Sequence, residues 1–192
     1  MNFISINTCT NICSVAFFED GEVRHKEKDN IKDHSEYIAI FTKDLIGEKI
    51  KKIDFIAIAI GPGSYSGLKA GLSFAKGLSL SLKVPILPIE TFSAMNIGIN
   101  EKNKYYISIY SHRDYLYVQE YLDKKSIDEP KCLKYEELKN IKIFGYGLNN
   151  IPNLYYDEIR PSSIDVGKYV INNYNKIIKE KKQNISPIYL SV

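Results

Sequence analysis

The chain has 192 residues, of which 44% are hydrophobic and 26% charged, and its formal net charge is +3. This composition is ordinary for a globular protein, and the length allows one large domain or two small ones. No stretch approaches the roughly 20 apolar residues of a membrane span, and the opening MNFISINTCTN has neither the basic start nor the apolar run of a signal peptide. We therefore expect a cytoplasmic protein without a membrane segment. A net charge this small argues neither for nor against RNA binding.

The three cysteines, Cys9, Cys13 and Cys132, form an odd set without a secretory signal, which is typical of a reducing compartment. Cys9 and Cys13 lie four residues apart, but no neighbouring His or Cys completes a zinc site. We expect these cysteines to be buried or half-buried thiols and not ligands.

The first part of the chain predicts an antiparallel meander of three strands, at residues 3–6, 13–18 and 23–28. An Asp20-Gly21 hairpin turn joins the second strand to the third. Asp33 is a good N-cap for the following helix, with Glu36 three residues later as in a capping box. The helix carries an apolar stripe at helical spacing: Tyr37, Ile38, Phe41 and Leu45.

The next elements predict a buried strand, a helix, a strand and a short helix. The run FIAIAI at residues 55–60 is continuous in apolar side chains, as in a central strand covered on both faces. The following elements are expected at residues 66–82, 85–89 and from Thr91. The resulting order is βββαβαβα.

A polar break at residues 100–104 suggests a boundary between two lobes, one of residues 1–99 and a smaller one of residues 100–192. The second lobe is predicted to open with a hairpin of residues 105–110 and 115–121. A strand at residues 141–144 and a long helix from Ser163 to about Lys182 follow, and Ile188 to Leu190 form a short docking strand.

The stretch Gly61-Pro62-Gly63-Ser64-Tyr65-Ser66-Gly67 lies between the buried strand and a helix. Glycines there let backbone N–H groups approach an anion at the helix N-terminus. A P-loop would need Gly-Lys-Ser/Thr at its end, and a dinucleotide fingerprint would need glycine at the position of Ser66, so both motifs fail. A phosphate-binding loop and a tight, closely packed strand-to-helix turn both remain open.

The combination of ISINTCTNICSVAFF, a His34 at the first helix, IAIAIGPGSYSGLKAGLSFAKGLSLSL, VPILPIETFSAM and the C-terminal SPIYL resembles the bacterial TsaB family. The resemblance is carried mainly by residues 1–96, and GPGSYSGLKAG is its most specific part. It implies a two-lobed α/β fold of the ASKHA class (actin, sugar kinase, Hsp70; RNase H-like), with a smaller, degenerate second lobe.

The resemblance also implies a function in making N6-threonylcarbamoyladenosine (t6A) in tRNA. The expected partners are the catalytic paralogue TsaD, as a heterodimer, and the ATPase TsaE, with tRNA contacted indirectly through the complex. The first two helices would form a four-helix bundle with those of the paralogue, and the same surface would allow a homodimer of the chain alone. The expected interface residues are His34, Tyr37, Phe41, Lys69, Leu72 and Ala75.

Several positions indicate a subunit that is not an enzyme. The catalytic paralogue holds a metal through a His-x-x-x-His pair, and the matching residues 89–95 contain no histidine. Asn7 stands where the family usually has an acidic residue, and a neutral amide binds a hard cation less well than a carboxylate does. Lys69 and Ser191 each replace an arginine that is usual in the family, so the bidentate contact of an arginine is not expected at either position. We therefore predict no catalytic residue, no metal and no cofactor.

Two alternatives stay open. One is an ASKHA-type ATPase or phosphotransferase that uses a loop of Gly61, Pro62, Gly63, Ser64 and Gly67. The other is an active transferase that works without a paralogue. The spacing of residues suggests no Ser-His-Asp or Cys-His arrangement.

Overall fold

A computed structural model describes residues 1–47, 53–138, 141–180 and 184–191 as a mixed α/β fold with two sheets. The first sheet has five strands in the order β3-β2-β1-β4-β5. Their bounds are β1 Phe3–Asn7, β2 Cys13–Glu19, β3 Glu22–Lys28, β4 Phe55–Ala59 and β5 Ile86–Ile89. The meander β1-β2-β3 is antiparallel, whereas β1, β4 and β5 are parallel to one another.

Helices cover both faces of the first sheet. Helices α1 (His34–Ile46) and α2 (Tyr65–Leu82) pack on one face, and α4 (Ser163–Lys179) packs on the other. Strand β4 shows why the run is continuously apolar: Ile56 and Ile58 point to α1 and α2, while Phe55 and Ala57 belong to the core beneath α4. A strand covered on both faces needs apolar side chains at every position.

The second sheet has the order β11-β10-β6-β7-β8, with β9 also paired to β7. Its strands are β6 Lys104–His112, β7 Tyr115–Leu122, β8 Lys125–Ser126, β9 Lys131–Lys134, β10 Lys142–Tyr146 and β11 Asp157–Glu158. The short helix α3 (Thr91–Met95) lies between the sheets, because Ala94 packs beneath α4 while Phe92 and Met95 join the core of the second sheet.

The predicted order βββαβαβα is confirmed, and so are the Asp33 cap and the hairpin of the second sheet. The predicted end of the last helix near Lys182 lies outside the described residues. The division into lobes at residues 99 and 100 stays a prediction. Helix α4, which that division assigns to the second lobe, packs on the first sheet through Val166 and Val170.

The predicted docking strand at Ile188 to Leu190 is wrong. The segment has no strand structure. Among the described residues, one backbone hydrogen bond connects it to the end of β4, from the Ile188 N–H to the Ile60 carbonyl at 2.7 Å. Both sides of β4 are already paired with β1 and β5, and Pro187 has no N–H to extend a ladder.

None of the helices in the described parts of the chain combines the length and apolar composition that a membrane span requires.

Candidate functional site

The glycine-rich loop folds onto the turn between β1 and β2. The Ser64 N–H donates to the Cys9 carbonyl at 2.6 Å, and the Thr91 N–H donates to the Gly61 carbonyl at 2.8 Å. The Gly61–Pro62 peptide bond is cis. The loop therefore joins β4, the β1–β2 turn and the start of α3 at one point.

Three glycines are explained by neighbours within this chain. A Cβ at Gly63 would overlap the Cys9 carbonyl oxygen, one at Gly67 would overlap that of Thr8, and one at Gly71 would overlap the Thr8 hydroxyl. Atoms of Cys9 and Thr8 therefore occupy the space that a side chain would need at these three positions, so only glycine fits. These contacts favour the closely packed strand-to-helix turn.

Polar groups at the start of α2 find partners within the protein. The Ser64 hydroxyl caps the helix by accepting from the Gly67 N–H at 3.4 Å, and the Thr8 hydroxyl donates to the Gly67 carbonyl at 2.8 Å. Pro62 is buried and Ser64 is exposed. Phosphate binding by Gly61, Pro62, Gly63, Ser64 and Gly67 stays a prediction.

Asn7 serves the same turn. Its side chain is 1% exposed, and its Oδ1 accepts from the Cys9 N–H at 3.1 Å. Its Nδ2 has no hydrogen-bond partner among the described residues. This geometry is an Asx turn, in which the amide shapes the backbone.

The interface predicted from the sequence is corrected at three positions. Leu72 and Ala75 are buried in the core beneath α1 and α2, at 5% and 0% exposure. His34 is buried against Gly67, and desolvation lowers the pKa of its imidazole below the ordinary 6.5. Helical spacing identifies a row of small or apolar residues on one face of a helix, but it does not show whether the sheet or a partner protein covers that face. The sequence prediction therefore placed these core residues at an interface.

The other predicted interface residues reach the surface. Tyr37 and Phe41 are half-buried and their rings lie 5.9 Å apart. Lys69 is exposed, and its ammonium lies 4.2 Å from the Tyr65 ring centroid. The Tyr65 ring in turn packs against Tyr189 at 4.9 Å.

A surface that the interface prediction omitted runs along the outer side of α2. Small side chains recur there three or four residues apart, so they share one helix face: Ser66, Ala70, Ser73, Gly77 and Ser81. A Cβ added at Gly77 would meet no described atom within 4 Å. Phe74 and Leu78 are half-buried beside this face. The spacing was visible in the sequence, but the exposure of Gly77 was not.

A cleft of about 830 Å³ lies between the glycine-rich loop and the second sheet. The β1–β2 turn and the loop form one wall, and the ends of β6 and β10 form the other. The Tyr146 hydroxyl donates to Asn11 Oδ1 at 3.1 Å, which ties the two walls together.

The residues at the position of the paralogue's metal pair do not fit a metal. Ile89 to Met95 contain no histidine, and across the described residues no three His, Cys, Asp or Glu side chains are placed to hold an ion.

The model of the family TsaD, tRNA N6-adenosine threonylcarbamoyltransferase, matches residues 27–145, more than half of the chain. Curated proteins similar to the chain carry the name tRNA threonylcarbamoyladenosine biosynthesis protein TsaB. The chain belongs to the TsaB branch of this family.

TsaB of Escherichia coli is 31% identical over 106 residues, which span 54% of this chain and 46% of that protein. The match thus covers about half of the length of this relative. TsaB of Buchnera aphidicola from Baizongia pistaciae is 23% identical and aligns with 98% of this chain and 97% of its own length. A tRNA N6-adenosine threonylcarbamoyltransferase of Borrelia garinii is 32% identical over 47% of this chain and 32% of the enzyme.

Among solved structures, YeaZ from Pseudomonas aeruginosa superposes with a TM-score of 0.82 at 19% identity, over 98% of this chain and 99% of YeaZ. A polyphosphate/ATP-glucomannokinase from Arthrobacter gives 0.50 at 9% identity, over 91% and 99%. Similarity at these identities concerns the fold, and it agrees with the predicted ASKHA class.

Proposed function

We propose that this TsaB-type chain is a non-catalytic scaffold subunit of a complex that makes t6A in tRNA. The outer α1–α2 face is the exposed side of these two helices and includes Ile40 of α1 and Gly77 and Leu80 of α2. This face would dock on the matching helices of a TsaD-like paralogue. The single observation that carries this proposal is Gly77, a glycine in the middle of a helix whose Cα faces open space.

Glycine inside a helix costs about 1 kcal/mol relative to alanine, so a position that keeps it needs a reason. Gly67 and Gly71 have that reason within the chain, since Thr8 occupies the space of their side chains. No described atom occupies the space of a side chain at Gly77. A partner helix that crosses α2 at Gly77 would occupy this space, because small residues let helix axes approach closely.

The neighbouring side chains support a helix partner. Ile40 on α1 and Leu80 on α2 are exposed at 43% and 80%, and Phe41 and Phe74 are half-buried. Covering these groups removes apolar area from water, which drives association. When the paralogue is absent, the same face would support a homodimer, since its apolar groups favour any cover of matching shape.

The non-catalytic role is supported by what stands at the positions of the paralogue's machinery. The Asn7 side-chain oxygen accepts a hydrogen bond within the β1–β2 turn, and residues 89–95 contain no histidine. A TsaE-like ATPase would join the complex, tRNA would be held by the assembly as a whole, and the site of action would be the cytoplasm.

Gly77→Gln tests the docking face. The substitution meets open space in the free chain, so folding should be retained. In the complex, however, the glutamine side chain would lie between α2 and the helix of the paralogue. We expect affinity for the purified TsaD-like paralogue to fall by about tenfold or more, as for a loss of about 1.4 kcal/mol or more. Isothermal titration calorimetry measures the change.

Gly98→Gln is the matched control, because a Cβ at Gly98 also meets no described atom within 4 Å and Gly98 lies outside α1 and α2. It should bind the paralogue as the parent chain does. Equal affinities for the parent chain and Gly77→Gln would rule out this face as the docking surface.

A further inference from the structure

The outer edge of strand β5 is open to a further strand. β5 is the last strand of the first sheet, and among the described residues β4 is the one strand paired with it. The carbonyls of Pro85 and Ile89 accept from N–H groups at the start and just past the end of β4, at 3.0 and 2.8 Å. Because backbone groups alternate along a strand, the Ile86 N–H and the carbonyls of Ile86 and Pro88 point away from β4. One donor and two acceptors are thus available to an added strand.

The two edges of the first sheet are protected to different degrees. Strand β3, at the other edge, has the sequence EVRHKEK, and charged side chains of this kind keep an edge from pairing with another chain. Strand β5 has the sequence ILPI, without a charged side chain. Its one protective residue is Pro88, which lacks an N–H. An apolar edge of this kind favours pairing with a partner strand.

A groove of about 610 Å³ lies along this edge. Strand β5 forms one side, and the C-terminal half of α4 forms the other. On α4, Tyr174 and Ile177 are half-buried and Ile178 is 39% exposed. Phe55 also lines the groove, and its ring packs against that of Tyr174 at 5.5 Å. The groove therefore offers apolar contacts to the side chains on one face of an added strand.

Carboxylates lie at both ends of the groove. Asp54 directly precedes β4, and Glu90 directly follows β5 at the opposite end. Glu180 lies at the same end as Asp54, since the C-terminal half of α4 packs on the start of β4. Lys176 is the one cation among the described residues of the lining. The groove is therefore apolar in its centre and acidic at its ends.

An extended segment satisfies this edge, whereas a helix does not. A helix bonds its own N–H and carbonyl groups to one another, so it would cover the Ile86 N–H without giving it an acceptor. A buried N–H without a partner costs free energy. An added strand supplies an acceptor for that N–H and donors for the two outward carbonyls.

We infer that the groove between β5 and α4 binds an extended segment of a partner protein that is apolar in its centre and basic at both ends. Residues 85–90 span about 17 Å at the rise of a strand, so the bound segment has about five residues. Its backbone pairs with Ile86 and Pro88, and its apolar side chains pack against Tyr174 and Ile177. The groove lies on the α4 side of the first sheet, so this site is separate from the outer α1–α2 face and is tested without the paralogue.

Fluorescence anisotropy with the purified full chain tests the inference. The probe is a labelled Lys-Val-Ile-Val-Lys peptide with blocked termini, and the control is the same peptide with glutamate in place of both lysines. We expect the lysine peptide to bind about tenfold more tightly at low salt, because each of its ends meets a carboxylate. The chain has a net charge of +3, so nonspecific attraction would favour the glutamate peptide instead. Failure of the lysine peptide to bind, or equal or tighter binding of the glutamate peptide, would overturn the inference.

N-methylated forms of the lysine peptide separate strand pairing from apolar contact. Methylation at the isoleucine and both valines removes N–H groups from both edges of the peptide, so affinity should fall about tenfold or more as two hydrogen bonds are lost. Forms methylated only at the isoleucine or only at the valines each keep one edge, and at least one of them should bind as the parent peptide does. Unchanged binding of the first form, or lost binding of all three, would contradict strand pairing.

Glu90→Gln tests the acidic end of the groove. The Glu90 side chain makes no cap hydrogen bond to α3, so the fold should be retained, and affinity for the lysine peptide should fall about threefold. Glu22→Gln is the matched control, at an exposed carboxylate on β3, the opposite edge of the same sheet. Equal affinities for Glu90→Gln and the parent chain, or an equal loss in Glu22→Gln, would contradict the placement of the basic ends.

Discussion

At the scale of single residues, Thr8, His34 and Gly67 form the tightly packed contact between the β1–β2 turn, α1 and α2. The Thr8 carbonyl occupies the place of a side chain at Gly67, its hydroxyl donates to the Gly67 carbonyl, and the His34 ring closes the third side. The glycine is there so that two backbones and one imidazole can meet. Its presence in the sequence signalled a close approach, but only the fold identifies what approaches.

Gly67→Ala and Gly77→Ala should change stability in opposite directions. Forcing a methyl group against the Thr8 carbonyl should cost about 1–3 kcal/mol of unfolding free energy. The same methyl group at Gly77 meets open space and should add up to about 1 kcal/mol through helix propensity. Urea unfolding of both variants measures the pair, and a stabilised Gly67→Ala would contradict the packing described for the loop.

Burial of His34 makes stability depend on pH. The folded pKa lies below the ordinary 6.5, so below that pH the unfolded chain binds more protons than the folded chain. The free energy of unfolding should therefore be unaffected by this group above about pH 6.5 and should fall as the pH drops toward the folded pKa. His25, whose pKa is also lowered by burial, acts in the same direction.

His34→Gln should reduce this dependence, because it removes the buried imidazole. Chemical unfolding at several pH values between about 5 and 7.5 covers the window around the ordinary pKa. A slope that is the same in His34→Gln and in the parent would show that His34 is not buried as a neutral group.

At the scale of elements, α4 is fixed to the first sheet at its N-terminus by buried serines. The Ser163 N–H donates to the Ser14 hydroxyl at 3.0 Å, and the two hydroxyls lie 2.7 Å apart. Ser5 donates to the Ser163 carbonyl at 2.7 Å. The bond from the Ser163 N–H satisfies a donor that a helix start leaves unpaired, and the other two bonds add to it, so a helix from late in the chain is placed against the first strands.

Ser14→Ala should cost about 1–3 kcal/mol of unfolding free energy, because it leaves the buried Ser163 N–H and hydroxyl without this partner. Ser73→Ala on the exposed face of α2 is the control and should stay within about 0.5 kcal/mol. Thermal and urea unfolding of both variants give the comparison. A Ser14→Ala variant as stable as the control would mean that the Ser14 hydroxyl does not contribute to holding α4 on the first sheet.

At the scale of the whole molecule, local sequence patterns predicted most helices and strands but not how those elements pack against one another. The apolar run of β4, the Asp33 cap and the Asp20-Gly21 turn each act over a few residues, so the sequence predicted them. The packing of α4 on the first sheet, the burial of Leu72 and Ala75, and the pairing that leaves Ile188 outside the sheet depend on contacts between distant segments. Periodicity identifies an apolar face, but not what covers it.

In the proposed function, the chain serves a tRNA-modifying complex through its docking face and does no chemistry by itself. The most direct test is reconstituted t6A formation on tRNA from purified proteins supplied with an activated threonylcarbamoyl donor, with this chain, the TsaD-like paralogue and the TsaE-like ATPase omitted one at a time. We expect no t6A from this chain alone, and loss of product when either this chain or the paralogue is left out. Formation of t6A by this chain without the paralogue would contradict the account.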